Sequence, residues 1–377
     1  MTIKIDIKLI IGLAVGLVVG GLIVGGVVIL MSGNDKGGDA SAAGGHNRTG
    51  TDTGDNGDDN GSDAGAATGP PPAMAVPNGV GKLTCPQPTK TVSSAEQLQQ
   101  AVGSAQPGDV IRIAPGTYQG KFVAQNSGTR DRPIFLCGDA AAILDGGGIK
   151  KGYAFHLNKA SFWRLIGFTV QNSQKGVMAD GSNGSIIQGL TVHDIGDEAI
   201  HLRNFSSGNI VQYCKIYNTG LRRAKFGEGV YLGSAESNWK SVTGGQMDRS
   251  DNNVVRGNVI RATAEAVDIK EGTTGGRVLD NVFDGSALGG DKHNDSWVDV
   301  KGNNYLIEGN KGKKTLADGF QTHEIVKGWG TGNVFRNNSI DLAGGNGVGI
   351  NDTVGGNTIG CDNKVQDGQA TKNGKCA

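Results

Sequence analysis

The sequence of 377 residues lacks a net charge: 36 Lys and Arg balance 36 Asp and Glu. The balance is uneven along the chain. Residues 1–31 carry Lys4 and Lys8 against Asp6, a net of +1, and residues 32–80 carry seven Asp against Lys36 and Arg48, a net of −5, which leaves +4 for the rest. So mild a basic excess is too weak to hold nucleic acid, and none is expected as a partner. Cysteine is scarce. Five residues suit an exported protein with one or two disulfides. Cys361 and Cys376 bracket a short polar tail and are expected to pair. Cys85 and Cys137 flank the N-terminal entry to the repeats and can pair. Cys214 stands where other repeats have Asn, and it reads as a buried free thiol. A helical period is also missing from the repeats, which excludes horseshoe solenoids that alternate strands with helices.

What is present instead is a short β-type repeat. Leu165-Ile-Gly-Phe, Ile187-Gln-Gly-Leu, Val211-Gln-Tyr-Cys, Val255-Arg-Gly-Asn, Val278-Leu-Asp-Asn, Ile307-Glu-Gly-Asn, Phe335-Arg-Asn-Asn and Ile359-Gly-Cys-Asp share one pattern, and most lie 22 to 29 residues apart. That period, with Gly and Asn turns, predicts a parallel β-helix of about eight coils. Asn258, Asn281, Asn310 and Asn338 occupy one position in successive coils, as expected of a buried asparagine ladder.

A second repeat runs out of phase with the first. Glu198-Ala-Ile-His-Leu-Arg203, Glu228-Gly-Val-Tyr-Leu-Gly233, Glu265-Ala-Val-Asp-Ile-Lys270, Ser296-Trp-Val-Asp-Val-Lys301 and Asp318-Gly-Phe-Gln-Thr-His323 place two apolar residues at alternate positions. In a strand those two face inward and their neighbours face out. Stacked as rungs, the segments give two outward columns. One is His201, Tyr231, Asp268, Asp299 and Gln321; the other is Arg203, Gly233, Lys270, Lys301 and His323. By alternation both columns are solvent-facing, His201 and His323 included. Trp297 should also face out, or else pack under a loop.

The N-terminal fifth is of another kind. Residues 9–31 are apolar or Gly without a charge, long enough to span a bilayer. With Lys4 and Lys8 before them, the positive-inside rule puts residues 1–8 in the cytoplasm and everything after the span outside. An uncleaved anchor is expected, making a single-pass protein of the cell membrane with an extracellular C-terminal domain. Residues 32–80, rich in Gly, Asp, Asn, Thr and Ser, form a disordered tether. Residues 81–377 are the folded domain, expected to be a monomer.

Asp268, Lys270, Asp299 and Lys301 form a two-by-two grid on adjacent rungs, with Glu228 and Glu265 at the strand entries beside it. The grid can serve as a salt-bridge ladder. It also has the groups that β-elimination on an acidic, uronate-containing polysaccharide requires. The sugar carboxylate must be neutralised, the C5 proton removed, and the departing C4 oxygen stabilised. Lys270, its pKa depressed by neighbouring cations, would be the base. Lys301 or Arg203 would neutralise or protonate. Glu228, Glu265, Asp268 and Asp299 would hold calcium or position substrate. Extra loops, at residues 218–227, 233–252 and 286–296, would wall the strip. In them Trp239 offers a sugar-stacking face, and Arg222 and Arg223 offer cations for carboxylates; Tyr231, His201 and His323 line the floor. The two histidines lie too many rungs apart for a shared zinc site.

Two resemblances sharpen this. The segment Ser93-Ser-Ala-Glu-Gln-Leu-Gln-Gln-Ala-Val102, a short amphipathic helix, precedes Pro107-Gly-Asp-Val-Ile-Arg-Ile-Ala-Pro-Gly-Thr-Tyr118. Together they resemble the entry to right-handed parallel β-helix proteins of the pectate-lyase-like superfamily, in which a helix caps the first coil. The resemblance implies an all-β, right-handed parallel β-helix over roughly residues 85–365. Glu265 with Lys270, then Lys301-Gly302 and Glu308-Gly-Asn310, look like the chondroitinase-B and alginate-lyase type of β-helix lyase. That likeness implies a catalytic lysine at Lys270. Thr263 stands where the family has a second calcium-binding Glu, and Lys301 where it has Arg. A uronate C5-epimerase and a non-catalytic surface protein that binds glycans are the rival readings of the same strip.

Overall fold

The computed structural model describes residues 81–289, 296–344, 346–372 and 374–377. The expected membrane span at 9–31 and the tether at 32–80 lie outside the described residues. Among the described residues no helix is long and apolar enough to cross a membrane.

The domain is a right-handed parallel β-solenoid of about ten turns, built from three parallel sheets of eleven, nine and ten strands. Eight coils were expected. The eight patterned segments begin at Leu165, and earlier strands of the same sheet, Val110–Ile113 and Ile134–Cys137 among them, add turns that this series does not count. The nine-stranded sheet carries the strip. Its strands include Ile200–Arg203, Val230–Leu232, Val267–Ile269, Val298–Val300 and Phe320–Thr322, paired in register. The expected inward residues, such as Val267, Ile269, Val298 and Val300, are fully buried.

The helix Ala95–Gly103 closes the N-terminal end. Ser94 caps it, accepting the Gln97 N–H, and Leu98, Ala101 and Val102 cover the apolar interior of the first coil. Without such a cap the first rung would expose its interior and a free strand edge. Both expected disulfides are present, Cys85–Cys137 and Cys361–Cys376, and Cys214 is a buried free thiol. The asparagine ladder runs from Asn258 through Asn281 and Asn310 to Asn338, each amide donating to the next carbonyl at 2.9–3.0 Å, and it continues to Asn363. The Cys214 N–H donates to Asn258 at the N-terminal end of this ladder.

Trp297 does not face out. It precedes the strand at a corner of the coil, where the two-residue alternation does not yet apply. In the ten-stranded sheet the inward column reads Ile260, Phe283, Gly312, Ile340. Gly312 leaves a gap there, and the indole fills it. A Cβ on Gly312 would lie 2.2 Å from the ring, and the Trp297 N–H donates to the Lys314 carbonyl at 2.7 Å.

Candidate active site

The predicted outward column is in register: His201, Tyr231, Asp268, Asp299 and Gln321 are successive Cα partners. Hydrogen bonds to the preceding rung from the N–H groups of Gly233, Lys270, Lys301 and His323 carry the same register one residue past the strands. The second column is therefore also real. The expected exposure is not. His201, Tyr231, Asp268, Asp299 and Gln321 are all buried, and His323 alone among these two columns' titratable groups is substantially open, at 38%. The loop at 233–252 accounts for part of this. Asp248 staples it down by accepting the N–H groups of Asn204 and Phe205 and the hydroxyls of Ser234 and Ser250. The loop then packs Met247 and Trp239 against Gly272, whose φ of +93° and lack of a Cβ allow the approach.

The grid is one continuous network. Asp268 accepts from both lysines, Lys270 at 2.7 Å and Lys301 at 2.9 Å. Lys301 also reaches Asp299 at 2.5 Å, and Asp299 holds the His323 Nδ1 at 2.7 Å. The Lys270 ammonium lies 4.9 Å from the centre of the Tyr231 ring.

The protonation of Lys270 is the reverse of the expected one. Burial disfavours its charge, but Asp268 and Glu271 outweigh burial and raise its pKa. Burial likewise opposes the charge on Lys301, and Asp268 and Asp299 raise its pKa. Both lysines are ammonium ions in the free protein. Sequence reasoning counted the cations near Lys270 and missed Glu271, which is buried and accepts the Glu236 N–H.

Glu228, Glu265 and Asp268 bring one carboxylate oxygen each within 4.8 Å of one another. Burial, reinforced by Glu198, Glu265 and Asp268, pushes Glu228 well above the usual carboxylate range. Burial and then Asp268 push Glu265 up to about 8. One oxygen of Glu228 is buried with no hydrogen-bond partner. When ionised, Glu228, Glu265, Asp268 and Asp299 exceed the two lysines by two negative charges. Two protons, or one divalent cation, restore neutrality. The set of hard oxygen donors and the orphaned Glu228 oxygen fit calcium. Asp299 is turned instead to Lys301 and His323.

Other expected residues lie apart from this network. Arg203 donates to Asp180 at 2.8 Å, two rungs from Lys270. The Arg222 guanidinium is clamped by Asp197. Arg223 stacks over Phe226 at 4.4 Å. His201 is buried under Tyr231, its Nε2 bonded to the Gly233 carbonyl at 2.8 Å, and burial lowers its pKa. Trp239 is half-buried and donates to the Ser234 carbonyl. The third wall, residues 286–296, falls largely outside the described residues.

The chain matches the family described as Pel9A-like, right handed beta helix region, over residues 84–228. No curated protein matches it. Among solved structures, an alginate lyase from Paenibacillus sp. str. FPU-7 is 36% identical with a TM-score of 0.70, covering 75% of this chain and 97% of that one. The pectate lyase Pel9A is 13% identical with a TM-score of 0.53, covering 77% and 82%. PfbA, a surface adhesin of Streptococcus pneumoniae, is 13% identical with a TM-score of 0.50, covering 74% and 77%. The last two share the fold alone.

Proposed function

The chain belongs to the family of the Paenibacillus alginate lyase, and from that premise we propose that it is a polysaccharide lyase cleaving a uronate-containing glycan, alginate first, by β-elimination. The observation that carries this reading is the network in which Asp268 holds Lys270 and Lys301 together on adjacent rungs. Two ammonium ions side by side in a buried floor would give a sugar carboxylate charge-assisted hydrogen bonds, while a divalent cation held by the neighbouring carboxylates would offset their excess charge. That acidifies the C5 proton. We assign Lys301, held from both sides by carboxylates, to the carboxylate. Lys270 takes the C5 proton in its neutral form, after releasing its own proton to solvent. Tyr231, whose hydroxyl pKa is raised by burial and by Asp268, stays protonated and can donate to the departing C4 oxygen. Glu228, Glu265 and Asp268 would hold calcium, which would share in neutralising the carboxylate. We take residues 9–31 to tether the domain to the outer face of a membrane.

A second assignment of the base follows from the His323–Asp299 pair, the most open titratable contact of the network. The two separate by substitution. With Lys270 as base, Lys270→Ala abolishes turnover and His323→Ala spares it. With His323 as base, the reverse holds.

The direct test is ultraviolet absorbance of unsaturated uronate ends, with residues 81–377 acting on alginate, pectate, chondroitin and hyaluronan, with and without calcium. A rise lost in Lys270→Ala supports elimination at this network. Inversion at C5 without unsaturated ends would mean an epimerase. Glycan binding without turnover would mean a non-catalytic surface protein.

A further inference from the structure

The strip carries a second charged constellation that the reaction above does not use. Asp180 and Arg203 are Cα partners on adjacent strands, two rungs and one rung N-terminal to Tyr231 in the sheet order. The Arg203 Nε donates to Asp180 Oδ1 at 2.8 Å, and the other oxygen of Asp180 pairs with His156 Nε2 at 2.8 Å. Tyr153 packs edge-on to His156 and sets its hydroxyl 3.4 Å from Arg203 Nη2. The side chains of Arg203, Asp180 and His156 are 14–18% exposed, so they open to solvent at one edge.

The guanidinium is thus gripped by its Nε. Its two terminal amino groups have, among the described residues, only the long Tyr153 contact. Those two groups are the fork that binds a carboxylate through parallel hydrogen bonds. Between Arg203 and Lys270 the column holds Gly233, at φ +82°, where a Cβ would meet Thr273 at 2.5 Å and Lys270 at 3.4 Å. Thr273 takes the room beside this glycine, so no side chain of the column itself stands between the two cations. Arg203 and Lys270 are two rungs apart, ~10 Å at the usual strand spacing. In an extended 1,4-linked uronate chain, alternate sugars turn their carboxylates to the same side. Two sugars advance by about the length of two rungs.

We propose that Arg203, oriented by Asp180 and His156, forms a subsite for the carboxylate of the uronate two sugars away from the one whose C5 proton Lys270 takes. This rests on the lyase reading. The sequence suggested Arg203 as a partner in the chemistry; its geometry makes it a substrate-binding residue instead. The Asp180 charge offsets that of Arg203, so recognition comes from the directed fork. Arg203→Lys keeps the charge and should still lose most of the effect.

The test compares wild type, Arg203→Met and Arg203→Lys on alginate oligosaccharides of graded length. For wild type, KM drops once the chain spans both cations. For both variants that drop is lost, KM on the longest chains rises about tenfold, and kcat stays within about twofold, as for binding remote from the reacting atoms. Wild-type length dependence in Arg203→Met overturns the proposal, as does a kcat loss on the shortest cleavable chains. Thermal unfolding checks that the variants fold. If wild type cleaves no uronate glycan, the lyase reading fails separately. Calorimetric titration with an alginate hexasaccharide then decides the subsite: about tenfold weaker binding by Arg203→Met supports it, and equal or absent binding for both proteins overturns it.

Discussion

Replacing Asp268 by Asn keeps the side-chain shape and removes the one charge that both lysines share. Asp268 is 2% exposed, and its oxygens lie 2.7 and 2.9 Å from the Lys270 and Lys301 ammonium groups. Lys301 would still have Asp299. Lys270 would keep only carboxylates that form no ion pair with it in the structure. Breaking a buried pair by removing one partner costs ~3–5 kcal/mol. For a domain of ~300 residues the unfolding entropy is about 0.6 kcal/mol/K, so Tm should fall by ~5–8 °C near neutral pH. The pH dependence carries a sign. In the wild type the Lys270 pKa is raised, so its stabilisation is present below the unfolded lysine pKa and is lost only as pH passes the folded value. In Asp268→Asn burial dominates and the folded pKa drops. The folded variant then binds fewer protons than the unfolded chain, and its stability rises with pH. The gap in Tm should therefore narrow from pH 7 to pH 10, and the acidic limb of kcat/KM should move to lower pH. Calorimetry or circular dichroism at each pH, with a steady-state rate profile, reads both. A Tm within about 1 °C of wild type at every pH would refute the reasoning, because an exposed pair would lose that little.

Glu265 should make wild-type stability fall as pH rises from 4.5 towards 8, since the folded protein keeps a proton that the unfolded chain releases; Glu265→Gln should lack that slope, and parallel Tm curves would count against it. Calcium should raise Tm more at pH 8 than at pH 5 in chelator-treated protein and have no effect on Glu228→Gln, whereas equal shifts in both proteins would place the ion elsewhere. Asn281→Ala interrupts the ladder between Asn258 and Asn310 and strips the Val255 carbonyl of its donor, so denaturant unfolding should show a loss of at least ~2 kcal/mol; under ~0.5 kcal/mol would deny the ladder a structural role. Trp297→Ala and Gly312→Val should each destabilise the fold by ~3 kcal/mol or more, and the double variant should cost clearly less than their sum, because one side chain fills the space of the other; strict additivity would contradict the packing.

Several features were legible because a repeat imposes them. Alternation along Val267–Ile269 and Val298–Val300 fixes which residues face the interior, and stacking then aligns Asp268 with Asp299 in any register that buries the valines and isoleucines. The ladder at Asn258 to Asn338, the cap at Ala95–Gly103 and the pairs Cys85–Cys137 and Cys361–Cys376 were readable for similar local reasons. Asp180 was readable too. Lys175-Gly-Val-Met-Ala-Asp180 continues the strip motif one coil earlier, but its different residue types hid it.

By itself, then, the sequence determined the solenoid, the phase of its rungs and the identity of the residues along the strip, because period-two alternation and a coil-length repeat leave one way to bury the apolar columns. Three things were decided only in three dimensions. The strip is buried rather than open, in part because Asp248 ties a loop from one coil to a turn of its neighbour. Trp297 turns inward because Gly312, a coil away, leaves it room. Lys270 is an ammonium because Asp268 and Glu271 sit on it at close range in a buried floor, where separation and burial, not spacing along the chain, set the strength of each charge.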